Sequence, residues 1–201
     1  MKYVYIFLVA IVVVTIGYLS MGKDTVTNYP SKGVDIIAYG DSLVYGVGAT
    51  KGNDFVSIIS KKIGEPIANL GVSGNTTADG VKRLSELDKY NPKVVILLLG
   101  GNDYLRKIPR AETISNLQTM INNIHARGSI VLLLGVRGGL LVDNFKEDFK
   151  KISKANKTVF VPNVLDNILG DDKLMSDQIH PNNAGYQIIA DKVYKELKDI
   201  I

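Results

Sequence analysis

The sequence predicts an α/β protein: a three-layer α/β/α sandwich on a parallel sheet of about five strands, preceded by an N-terminal transmembrane or signal helix. Three observations carry this expectation. From residue 34 onward short apolar runs alternate with longer helix-period stretches, the pattern of parallel strands joined by crossover helices. The run "VVILLLG", Val94–Gly100, is apolar at every position, as a strand covered on both faces must be. Ahead of all this, Tyr3–Gly22 carries no charge and is bracketed by Lys2 and Lys23.

That first segment sets the N-terminal expectation. A signal peptide's apolar core spans about 7–15 residues and a membrane-spanning helix needs about 20, so the length favours an uncleaved anchor. A cleaved signal is the alternative, although no Ala-x-Ala site follows the run. Tyr3, Tyr5 and Tyr18 suit the membrane interface. The α-amine and Lys2 precede the span, whereas Lys23 is followed at once by Asp24, a bias that leaves the N-terminus in the cytoplasm. The domain is then expected outside the cytoplasm, periplasmic or extracellular, and secreted if the signal is cleaved. The expected organisation is an anchor or signal over 1–23, a polar linker over 24–33 and one domain over 34–201.

Within the domain, Val34–Gly40, Pro66–Gly71, Val94–Gly100, Ile130–Val136 and Val159–Val161 read as strands, too short for helices and several rich in β-branched residues. Helices are expected over Asp54–Ile63, Ala78–Lys89, Ala111–Arg127, Asn144–Lys154 and Asn182–Lys198. Ligands of such a sheet bind beyond the carboxyl ends of the strands. The first three strands each end there in a glycine-bearing polar cluster: "GDS", "NLGVSGN" and "GGND".

A chain of 201 residues supports one domain with a substantial core. There is no cysteine, which excludes disulfides, thiolate metal sites and a Cys nucleophile. The net charge of +4 comes from lysines and arginines mixed among acids, as in "FKEDFKKISKANK", so no nucleic-acid partner is expected. "GVGATKG", Gly46–Gly52, lacks the Gly-Lys-Ser/Thr ending of a phosphate-binding loop.

Taken alone, Gly40-Asp41-Ser42 reads first as a turn and only second as a nucleophile at a strand end. Only two histidines are available as a base. His125, near the end of a helix, reads as structural, favoured there by the helix dipole. His180 lies three residues after Asp177 and just before Pro181 opens the last helix, so the carboxylate can reach one imidazole nitrogen and leave the other free. As an isolated pair, the two fit a helix-capping arrangement equally well.

The blocks "GDS", "NLGVSG", "GGND" and "DQIHP" stand in that order, and together they resemble those of the SGNH (GDSL-type) hydrolase superfamily. The resemblance covers residues 34–198 and is greatest to its compact thioesterase, arylesterase and lysophospholipase branch. It implies a flavodoxin-like fold and an ester or thioester hydrolase with Ser42 as nucleophile, His180 as base and Asp177 orienting it. It further implies an oxyanion site made by the N–H groups of Ser42 and Gly71 and the side-chain amide of Asn102. No metal and no cofactor are expected, and the partner is a small-molecule acyl ester or thioester. Asp41 and Asp103 are expected to tie down their own turns, and Ser73 lacks the Gly-x-Ser-x-Gly setting of a nucleophile. Asp103–Pro109 and Val136–Asn144, with Leu140 and Leu141, are expected to line the acyl pocket. The alternatives are a carbohydrate or peptidoglycan O-acetylesterase and an inactive binding domain on the same scaffold.

Overall fold

The computed structural model describes residues 26–136 and 144–201. Five strands form one parallel sheet: β1 (Asp35–Gly40), β2 (Ile67–Gly71), β3 (Pro92–Leu98), β4 (Ile130–Leu134) and β5 (Val159–Val161). Their order is β2-β1-β3-β4-β5. Connections leave β1 in one direction and β3 in the other, so the switch in strand order falls between β1 and β3. The register sets Gly40 beside Gly71 on one flank and beside Leu98 on the other. The carboxyl ends of the first three strands are therefore level.

The helices are α1 (Ser42–Tyr45), α2 (Phe55–Ile63), α3 (Thr77–Lys82), α4 (Gly101–Leu105), α5 (Arg110–Ala126), α6 (Asn144–Asn156) and α7 (Asn183–Leu197). α2 packs on α7 to make one layer, while α5 packs on both α3 and α6 to make the other. β4 is buried at every residue, and Val94–Leu99 are fully buried, which accounts for their unbroken apolar sequence. Around that strip Phe55, Ile59, Leu117, Met120, Ile124, Tyr186 and Val193 close the core from both layers.

Caps fix where the helices begin. Asp54 accepts from the Ser57 N–H (2.8 Å), Thr76 and Asp79 form a reciprocal capping box, and Asn182 accepts from the N–H groups of Ala184 and Gly185. The single helix expected over Ala78–Lys89 is instead α3 followed by a 3-10 segment, Leu84–Lys89. The break falls at Arg83, which is drawn out of the helical path (φ −108°, ψ 18°). Its guanidinium reaches the strand ends, as described below.

Within the expected polar linker, residues 26–31 form a docked strap. The Thr27 N–H and hydroxyl donate to the carbonyls of Lys157 and Asn156 (both 3.0 Å). Asn28 Nδ2 donates to the carbonyls of His125 (2.9 Å) and Ser129 (3.0 Å), and Ser31 Oγ to that of Gly128 (2.9 Å). These acceptors lie at the C-terminal ends of α5 and α6 and in the turns that follow, where helix carbonyls have no partner of their own. Val26 and Tyr29 pack against the core. Residues 26–31 thus belong to the folded domain, at the amino edge of the sheet. Among the described residues no helix is long and apolar enough to cross a membrane. The run Tyr3–Gly22, on which the anchor or signal rests, lies outside the described residues.

Candidate active site

Ser42 follows β1 by two residues and opens α1. The turn is sharp: a Cβ on Gly40 would sit 2.3 Å from the Leu98 carbonyl oxygen and 2.4 Å from Val44 Cγ2. Only glycine permits β1, β3 and the start of α1 to meet so closely. As the first residue of a helix, Ser42 has an N–H with no acceptor in the helix itself. Asp41 caps this short helix, its Oδ1 accepting from the Leu43 N–H (3.0 Å).

His180 comes from the other end of the chain, on a tight hairpin before α7. Met175 and Pro181 form an antiparallel bridge. The His180 carbonyl accepts from the Ser176 N–H (2.9 Å), and Asn182 Nδ2 donates to the carbonyls of Lys173 and Met175. Asp177 Oδ1 accepts from the N–H groups of Ile179 and His180 (both 2.8 Å), which fixes the carboxylate. Its Oδ2 lies 2.8 Å from His180 Nδ1, and His180 Nε2 lies 3.0 Å from Ser42 Oγ. With Nδ1–H donated to Asp177, Nε2 is free to accept a hydrogen bond from the Ser42 hydroxyl. The His180 hydrogen bond, and after it the Ile179 N–H, hold the Asp177 carboxyl below the usual carboxylate range. Asp177, His180 and Ser42, the three residues singled out in the sequence, are thus joined by two consecutive hydrogen-bond contacts.

Asn102 lies in α4, beyond β3, across the switch point from Ser42, and lines the same cavity. Its Nδ2 donates one hydrogen to the Asn75 carbonyl (2.9 Å), which sets the plane of the amide. Arg83 fastens this loop to β1. Its Nε donates to Asn75 Oδ1 (2.7 Å), its Nη2 to the Gly40 carbonyl (2.7 Å) and its Nη1 to Glu86 (2.9 Å). The guanidinium lies 4.1 Å from the centroid of the Tyr39 ring, a cation–π contact. Arg106 Nη2 holds the other side of the loop through the Gly74 carbonyl (2.7 Å).

Gly71 is not placed as expected. Its N–H already donates to Asn69 Oδ1 (2.9 Å). A Cβ there would lie 2.2 Å from the Tyr45 backbone nitrogen, so this glycine serves the packing of β2 against α1. Three residues on, Gly74 has φ +80°, and its N–H has no acceptor among the described residues. "NLGVSGN" contains both glycines, and nothing in residue order distinguishes the one spent on packing from the one beside Asn75. Asp41 ties down its own turn, but Asp103 does more. Fully buried, it accepts from the Thr77 N–H (2.9 Å) and from the hydroxyls of Thr77 and Thr113, joining α4 to the starts of α3 and α5. Ser73 is exposed, and His125 lies in the last turn of α5, at the opposite edge of the sheet. Burial holds the His125 imidazole below its ordinary value.

A cavity of about 610 Å³ opens onto Ser42 and His180. Tyr104 and Leu105 line it, as expected from Asp103–Pro109, and so does Val136. Residues 137–143, with Leu140 and Leu141, lie outside the described residues. Leu165, Leu169 and Met175 complete the wall from the segment between β5 and the His180 hairpin. Their apolar spacing in "NVLDNILGDDKLM" was the available signal, masked by the turn residues between them. "GVGATKG" is pinned to α7: Asn183 exchanges hydrogen bonds with Thr50 (both 2.9 Å) and Tyr186 OH donates to the Val47 carbonyl (2.8 Å).

A family model described as the GDSL-like lipase/acylhydrolase family matches residues 38–188. The chain is 29% identical over 178 residues to Esterase TesA of Pseudomonas aeruginosa, covering 83% of this chain and 89% of that protein. It is 26% identical over 175 residues to Thioesterase 1/protease 1/lysophospholipase L1 of Escherichia coli, covering 83% and 84%. A crystal structure of TesA superposes with a TM-score of 0.78 at 29% identity, over 84% of this chain and 100% of that one.

Proposed function

The chain belongs to the GDSL-like lipase/acylhydrolase family and is a hydrolase of ester or thioester bonds, and from that premise we propose that Ser42, His180 and Asp177 carry out its chemistry. The observation that carries this is the line Asp177–His180–Ser42, with contacts of 2.8 and 3.0 Å. Ser42 Oγ attacks the acyl carbonyl while its proton passes to His180 Nε2. Asp177 holds the imidazole in the tautomer that can accept this proton and stabilises the imidazolium. The imidazolium then protonates the leaving alkoxide or thiolate as its bond to the acyl carbon breaks. Water attacks the acyl-enzyme by the same route, giving its proton to His180, and the carboxylic acid leaves.

The oxyanion is stabilised by the Ser42 N–H, the second Nδ2 hydrogen of Asn102 and the Gly74 N–H. Gly74 replaces Gly71 in this role because the Gly71 donor is already spent on Asn69. A donor aimed at the charge that develops contributes most when it is fixed beforehand. Asn75, held by Arg83, and the Gly74 carbonyl, held by Arg106, supply that fixing.

The acyl chain lies in the apolar cavity against Leu165, Leu169 and Met175. Fatty acyl esters and thioesters are therefore the substrates, rather than acetyl groups on glycans. A series of p-nitrophenyl esters tests this. We expect kcat/KM to rise from acetate to octanoate by at least tenfold, since each buried methylene contributes about 0.8 kcal/mol. A maximum at acetate would favour an O-acetylesterase. Tyr3–Gly22 anchors the domain to the outer side of a membrane, the length of the uncharged run supporting an anchor over a cleaved signal.

A further inference from the structure

The strap and the catalytic mouth lie at opposite poles of the domain. All five strands are parallel, so their carboxyl ends, with Ser42, Asn102 and the cavity, share one edge. Thr27 and Asn28 are bound to Asn156, Lys157, His125 and Ser129, which immediately precede β5 and β4 at the other edge. Six residues of β1 alone separate the two edges by about 20 Å.

The chain between this strap and the uncharged run is very short. Gly22 and Val26 are joined by four Cα steps, which reach about 14 Å at full extension. A domain of this size has a radius of about 20 Å, so half its circumference is roughly 60 Å. The tether is too short for the domain to roll its mouth onto the surface that holds Gly22. The strap's hydrogen bonds would have to break before more chain could be paid out.

We infer that the enzyme works facing away from the membrane that holds it, on acyl esters or thioesters that reach the mouth through water. Lipids of the anchoring bilayer lie at the wrong pole. The inference rests on the reading of Tyr3–Gly22 as a membrane anchor, and it narrows the substrates of the same site to water-borne ones. It also gives the exposed side chains of Tyr104 and Leu105 a role as entrance to the cavity, with no bilayer against them.

The test uses the full chain in phospholipid vesicles. Flotation with the vesicles after a high-salt wash checks the anchor by itself. The floated enzyme is then treated with a serine-directed phosphonate carried on a lipid head group of the same vesicle, or with a water-soluble phosphonate. A second form carries about 30 flexible Gly/Ser residues after Asp24, enough to span roughly 100 Å when extended. The water-soluble reagent should label Ser42 at the same rate in both forms. The lipid-borne reagent should label the native chain at least tenfold more slowly than the long-tethered form. Equal labelling of the two floated forms by the lipid-borne reagent would overturn the inference while leaving the anchor intact. A full chain that fails to float would instead remove the anchor, and the inference with it.

Discussion

Asp41, between Gly40 and Ser42, is a carboxyl held inside the fold. It is almost entirely buried beside Ser42, and burial pushes its carboxyl from 3.8 up to about 7 against the opposing pull of the Leu43 N–H and of His180. Between these values the folded protein keeps a proton that the unfolded chain has released. A carboxyl raised in this way contributes stability that is fully present below about pH 4 and is lost as pH rises through 7. The whole effect is on the order of 4 kcal/mol, at 1.36 kcal/mol per unit. Asp41→Asn should therefore gain stability relative to the native protein as pH rises from 4 to 8. Urea denaturation of both forms across that range measures the difference, and a difference constant with pH would contradict the burial argument. Asp41 was legible in the sequence as a turn residue, and its tie to Leu43 bears that out. Its burial was not, because that is set by packing between segments far apart in the sequence; Gly101 and His180 line the same cavity as Asp41.

At the scale of elements, the strap makes the clearest quantitative statement. Its five hydrogen bonds to helix-end and turn carbonyls each contribute about 0.5–1.5 kcal/mol. A chain beginning at residue 25 should keep the stability of the full domain. One beginning at residue 34 should lose roughly 3–6 kcal/mol in denaturant unfolding, allowing for the exposed Ser31 bond. Equal stability of the two would show the strap to be a mere linker, which is how its polar composition reads. Strand positions were legible because apolar runs bounded by glycine have few other readings. α1 and α4 were not, since helices of four and five residues are shorter than the period that would reveal them. The break at Arg83 was equally hidden. Its cause is tertiary, the pull of Gly40 and Asn75 on one guanidinium.

For the molecule as a whole, the order β2-β1-β3-β4-β5 brings four separated segments to one edge, with Ser42 and Asn102 flanking the switch point. Polar clusters ending successive strands made this edge readable from the sequence. The choice between Gly71 and Gly74 was not, because it turns on which backbone N–H the fold has already used. The central claim is that Ser42 is a nucleophile activated by His180 and Asp177, and covalent labelling tests it most directly. A fluorophosphonate should give one adduct, on the peptide containing Ser42, and Ser42→Ala should lose both adduct and activity at an unchanged melting temperature. Asn102→Ala should still be labelled, but about a hundred- to a thousandfold more slowly, the cost of one oxyanion donor. An adduct on Ser73 or any other serine, or full esterase activity in Ser42→Ala, would contradict the account.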